Sequence, residues 1–173
     1  MRLSIGYSDS EDRIWIRVEK STALWWMTRR LALRLIEQWA TLMERSYPDA
    51  DAAAAADAEA QRARAAERAR ALRREHGSAV AVARGTKVEP VGRPAPGVEL
   101  ATCVLASIDL SVRADLVTLV LKAPGRTEPL KMSRQEAHRM LDALLARCRR
   151  SGWYDATLPH WLAGDAAEPA AES

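Results

Sequence analysis

A 173-residue chain with 48% hydrophobic and 28% charged residues and a formal net charge of +3 suits one globular domain, or two small halves sharing a core. Only Lys20, Lys87, Lys122 and Lys131 among its 26 basic residues are lysines; the arginine excess, in an Ala-rich and Phe-free chain, reads as a coding-composition bias rather than a nucleic-acid adaptation. No uncharged stretch approaches the roughly 20 residues of a membrane-spanning helix, and "MRLSIGYSDSEDR" at the N-terminus has no signal-peptide core, so a cytoplasmic, reducing setting without a membrane is expected, with Cys103 and Cys148 as free buried thiols.

The first unit, residues 1–47, reads as strands over about 2–8, 13–19 and 23–27, then a helix over about 29–45. Thr28 stands where an N-cap belongs, its hydroxyl free to accept from the first amides of the helix. By alternation Ile14, Ile16 and Val18 face the helix, while Arg13, Trp15 and Arg17, with Trp26 on the neighbouring strand, face the other way.

An Ala/Arg-rich insert and a Pro/Gly loop fill residues 48–97. Within "DADAAAAADAEAQRARAAERARALRREHG" (49–77), acids lead and arginines trail, an order that suits a helix dipole. Apart from Leu72 it offers no large apolar residue, so a solvated helix or a disordered linker is expected. "RGTKVEPVGRPAPG" (84–97) reads as an extended loop.

The second unit, residues 98–151, reads as strands over about 98–112, 115–122 and 128–132 and a helix over about 134–150. It echoes the first. "MTRRLALRLIEQWATLMER" (27–45) matches "MSRQEAHRMLDALLARCRR" (132–150), and "SIGYSDSEDRIWIRVE" (4–19) aligns without a gap on "SIDLSVRADLVTLVLK" (107–122). Ile5 then falls on Ile108 and Asp12 on Asp115, and "APGR" (123–126) accounts for two extra residues. Ser133 and Glu136 have capping-box spacing. A three-stranded sheet with one helix buries only one face and is marginal alone. The expected fold is therefore α+β, a tandem pseudo-two-fold β-β-β-α repeat of antiparallel sheets with one helix packed on each. After it, Trp153 and Trp161 suggest a docked tail (152–164), and 165–173 is expected to be disordered.

Differences between the units point to surfaces. Both helices share a core stripe: Ala32, Leu35, Ile36, Trp39 and Met43 in one, Ala137, Met140, Leu141, Leu144 and Cys148 in the other. The first helix adds Leu31, Leu33 and Leu42 on its flanks, where the second has the wettable Glu136, His138 and Arg147. Those leucines are candidates for a partner interface, with the Trp-containing tail as the alternative cover. Arg13, Trp15, Arg17 and Trp26 form a second candidate surface, since Trp and Arg are favoured anchors both of protein interfaces and of single-stranded nucleic acid.

Catalytic signals are absent: no phosphate-binding loop, dinucleotide fingerprint, zinc-protease pair or nucleophile elbow occurs. The histidines are far apart in sequence and lack paired metal-ligand spacing. Asp12 and Asp115 each precede a strand, where a turn bond to the backbone explains them. No catalytic residue, metal or cofactor is expected. The leading expectation is a non-enzymatic protein–protein interaction module, an oligomeric adaptor or assembly subunit with a protein partner or itself as ligand. Two tandem strand-rich units each ending in a helix also resemble, in architecture, PUR-repeat and Whirly-type binders, which implies single-stranded DNA or RNA as the alternative ligand.

Overall fold

The computed structural model describes residues 2–47, 58–85, 99–113, 115–153, 159 and 161–162. Among these residues, two sheets and three helices make an α+β body. In the first sheet, β1 (Leu3–Ser8), β2 (Arg13–Val18) and β3 (Ala23–Met27) run antiparallel, and β4 (Ala101–Val104) adds to β3 in parallel. Ile14, Ile16, Val18, Ala23, Trp25 and Met27 alternate inward and are buried.

The second sheet is the antiparallel meander β5 (Ser107–Arg113), β6 (Leu116–Ala123) and β7 (Arg126–Ser133). Pro124 and Gly125, the latter at φ +72°, join β6 to β7 in the residue order of a type II turn. Pro129 sits on β7, an edge strand, where a missing ladder donor is tolerated.

Two expectations are corrected here. The single strand expected over 98–112 is two strands in different sheets, so the first sheet is mixed rather than antiparallel. The crossover is at Leu105–Ala106: the Leu105 amide donates to the Trp26 carbonyl of the first sheet, and the Ala106 amide to the Lys122 carbonyl of the second. The gapless alignment of the first strands also fails in detail. β1 and β2 are joined by four residues, with Ser8 opposite Arg13, but β5 and β6 by only two, with Arg113 opposite Leu116. Ile5 faces Ile16, whereas Ile108 faces Leu121, two positions away from the aligned Leu119. A slip of two keeps every side chain on its face, which is why alternation did not reveal it.

The helices α1 (Arg29–Arg45) and α3 (Arg134–Arg150) pack on each other and against both sheets. Each touches both sheets rather than only its own: α1 meets β2 and β5, and α3 meets β1, β6 and β7. Thr28 caps α1, accepting from the Leu31 amide, and Ser133 with Glu136 forms a reciprocal capping box on α3. All ten positions of the shared helical stripe are buried.

The insert contributes a third helix, α2 (Ala58–Gly85), packed mainly on α3. Leu72, Ala79 and Val80 are buried by it. The solvated helix expected there is present and mostly exposed, but one side of it is buried, which the expectation did not include. Small apolar residues make that contact, and they extend past Gly77, where the Ala/Arg-rich stretch was taken to end. Residues 48–57 and 86–98 lie outside the described residues.

Gly77 is an exposed helix-interior position, and a Cβ there would meet nothing within 4 Å. Glycine costs such a position about 0.5–1 kcal/mol relative to alanine. Gly77→Ala is expected to raise the unfolding free energy by that amount in urea titration; no gain would mean that α2 is not helical through residue 77.

Polar bonds tie the sheets at the β3 and β7 ends. Glu128 accepts from the Trp25 indole at 3.0 Å and from the Ser21 hydroxyl at 2.8 Å, and Arg126 donates to the Thr22 hydroxyl at 2.8 Å. The buried Trp25 nitrogen is satisfied by a residue of the other sheet, so the halves are joined by hydrogen bonds as well as by apolar contact.

Candidate interaction surface

On the outer face of the first sheet, alternation aligns Arg13, Trp15 and Arg17 on β2 with Leu24 and Trp26 on β3 and Thr102 and Val104 on β4. Trp15 and Trp26 are register partners, as are Arg17 and Leu24, and Trp26 and Val104. Arg13, Trp15, Arg17 and Trp26 are all half-buried, and Val104 is 42% exposed. The structure therefore brings these four expected residues together on one open face.

Gly6 on β1 explains where the Trp15 ring goes. It lies opposite Trp15, and a Cβ at Gly6 would overlap the indole carbons. The ring lies across β1, in a space only glycine leaves. Trp15 thus leans to one side of β2 while Trp26 stands on the other, widening the apolar area. Gly6→Ala is expected to expel the indole, red-shifting tryptophan emission and costing about 1–3 kcal/mol; an unchanged spectrum would place the ring elsewhere.

The outward positions of β1 to β4 carry Arg13 and Arg17 and no carboxylate. Among the described residues, the buried Arg17 Nε has no hydrogen-bond partner. A buried donor without a partner gains from an acceptor brought to it.

The α1 flank is divided. Leu31 and Leu42 border grooves whose opposite wall is β5: Leu31 faces Ala106, Ser107 and Ile108, and Leu42 faces Leu110. Leu33, one position on from the buried Ala32, is half-buried. The tail tryptophans go elsewhere. Trp153 packs edge-on against Tyr7, and its carbonyl accepts from Arg29 at 3.2 Å; the Trp161 indole donates to Glu44 at 2.8 Å. Tyr154, Leu158 and 163–173, with the tail's expected disorder, lie outside the described residues.

Asp12 does more than a turn residue. At φ +45° it presents one carboxylate oxygen to the Tyr7 hydroxyl at 2.7 Å and to the Trp153 indole at 3.0 Å. These bonds hold its carboxyl below the usual range, the Tyr7 bond contributing most, and the same bond pushes the Tyr7 phenol up to about 12. Asp115, its aligned counterpart, is exposed.

His138, expected on a wettable flank, is fully buried. The reason is α2, which covers that side of α3. Its ring lies edge-on to Trp161 and to His76, with the two Nδ1 atoms 3.3 Å apart. Glu75 is 3.3 Å from His138 Nε2, without hydrogen-bond alignment, and is held by Arg134 at 2.7 Å. Burial pushes the His138 imidazole down from 6.5 to about 4, against the opposing pull of Glu75, and lowers His76 as well. Two neutral rings face each other where α2, α3 and the tail meet. The α2 surface left no trace in the periodicity of α3 alone; the signal was a histidine at a helix-flank position beside a stripe of apolar residues.

Cys148 is buried, and burial pushes its thiol up to about 11, a poor nucleophile at neutral pH. Cys103, expected to be buried, is half-exposed on the short β4. Among the described residues no group of three His, Cys, Asp or Glu is placed to hold a metal, and no helix is long and apolar enough to cross a membrane. Comparison with protein-family models, curated proteins and solved structures finds no match.

Proposed function

We propose that this chain is a non-enzymatic protein–protein interaction module, a cytoplasmic adaptor or assembly subunit that also self-associates. One observation carries the reading. Trp15 and Trp26 are direct cross-strand partners on an open sheet face, flanked by Arg13 and Arg17 and continued by Leu24 and the exposed Val104. Tryptophan and arginine anchor protein interfaces because each offers large area with a polar end. With two guanidinium groups and no carboxylate at its outward positions, the face suits an acidic partner surface. The leucines of α1, Leu31, Leu33 and Leu42, supply the self-associating side.

The test is a photo-reactive residue at position 24 in the source cell. An adduct that disappears in a folded Trp15→Ala/Trp26→Ala variant supports the reading; an adduct indifferent to both tryptophans rejects it. The same face favours one alternative, single-stranded DNA or RNA stacked on the indoles. Salt-dependent binding of a labelled oligonucleotide, lost in the double variant, would transfer the assignment to nucleic acid.

The fold is part of the proposal: two copies of one strand–strand–strand–helix unit related by a pseudo-two-fold. Both helices run 17 residues, start after a hydroxyl cap and bury matching stripes. The β2–β3 and β6–β7 registers also correspond, with Ile14 opposite Met27 and Val117 opposite Met132.

A further inference from the structure

We propose that β5 is a self-pairing edge: two copies of the chain join antiparallel along 109–113, centred on Ser111, so that two three-stranded sheets become one of six. The proposal rests on the self-associating reading above and names its seam. Among the described residues β5 ends its sheet, bonded to β6 on one side. An end strand offers a row of backbone donors and acceptors, and natural proteins guard such rows with charge, proline or shortness.

Three of the four sheet edges here carry a guard. β1 has the Arg147 guanidinium, whose Nε donates to the Ile5 carbonyl at 3.2 Å. β7 contains Pro129, and β4 has only four residues, whereas the charges of β5, Asp109 and Arg113, oppose only pairings that set like charge against like. At β5 the position on α1 equivalent to Arg147 is Leu42, an apolar side chain.

Burial shows the same openness. The inward residues of β6, Val117, Leu119 and Leu121, are 0% exposed, while Ile108, Leu110 and Val112 on β5 are only partly buried. Beside them a groove of about 430 Å³ separates β5 from α1, with Leu42 and Leu110 in its walls.

The strand "SIDLSVR" selects its own partner. A symmetric antiparallel pair keeps side chains on their faces only if the axis passes through a residue. Centred on Ser111, the pair sets Asp109 opposite Arg113 twice on the outer face, and Leu110 opposite Val112 on the inner. Val112 of the second copy is thereby brought beside Leu110, at the wall of the groove. Centred on Leu110, Asp109 meets serine and no ion pair forms. Centred on Asp109 or Arg113, like charges collide.

Light scattering after size exclusion is expected to show a dimer. Arg113→Asp, which sets carboxylates face to face in both symmetric pairs and leaves the Lys122–Asp109 bridge intact, is expected to raise the dimer Kd about 30-fold. Ser111→Cys is expected to form a disulfide-linked dimer under mild oxidation, because directly opposite positions lie within reach, whereas Ser107→Cys and the parent chain, with its native Cys103 and Cys148, stay unlinked. A wild type that stays monomeric at about 100 µM overturns both this seam and the self-associating reading. A dimer without the Ser111→Cys link, whatever Arg113→Asp does, overturns the seam alone.

Discussion

Lowering the pH from 7.5 to 4.5 is expected to lower the unfolding free energy by about 2.5 kcal/mol through His138 alone. Its folded-state pKa of about 4 lies below the 6.5 of the unfolded chain. Between those values the unfolded state binds the proton and the folded state does not, so stability falls as pH falls. The contribution is fully present above pH 6.5 and is lost progressively down to about pH 4, at about 1.4 kcal/mol per pH unit. His76, lowered in the same direction, adds to the slope. Asp12 and Glu136 are also depressed, but carboxylates lose their contribution at lower pH, below their unfolded values of 3.8 and 4.5. The histidine window is therefore separable. Urea titrations at half-unit steps should show His138→Gln with a flatter profile between pH 6.5 and 4.5; a slope identical to wild type would remove His138 as its source.

Trp161→Ala is expected to cost about 3–5 kcal/mol, the range for deleting a buried aromatic. The ring is 2% exposed, packs on both imidazoles and donates to Glu44. Native domains hold only about 5–15 kcal/mol, so the variant should lose a large share of its stability. A second effect follows from the first. Burial is what depresses His138 and His76, and removing the indole lets water reach them, so their pKa values move back toward 6.5 and the acid slope flattens. A loss under about 1 kcal/mol at neutral pH would mean the tail does not dock. A full loss with an unchanged acid slope would mean the imidazoles are shielded by α2 alone.

Local patterns gave α1 to the residue, because a hydroxyl cap, a 3.6-residue stripe and a sheet-like alternation before it all agree at Thr28. They gave the inward rows of β2 and β6 for the same reason. What escaped was long-range. The β4–β5 crossover did leave a sign: inward positions run Cys103, Leu105, then Ile108, Leu110, Val112, a change of phase at Ala106–Ser107 within an otherwise continuous apolar run. Docking of α2 escaped because alanine is both the best helix former and a small core residue, so Ala79 reads alike in either role. Asp12 escaped because its partners, Tyr7 and Trp153, lie at opposite ends of the chain. Of the candidate surface, the face of Trp15 and Trp26 followed from alternation, but the open space over Gly6 required a neighbouring strand.

The crossover at Leu105–Ala106 bears on how the chain reaches its native state. β4 pairs with β3 from the far side of two intervening helices, so this parallel ladder can close only after a long loop has been ordered. The hairpins β1–β2, β2–β3, β5–β6 and β6–β7 are local and should form early, and β3–β4, which closes the longest loop, should form after them. A nascent chain that has not reached residue 101 would hold the first meander with β3 as a bare margin, and that margin is sealed only once Ala101–Val104 has been made.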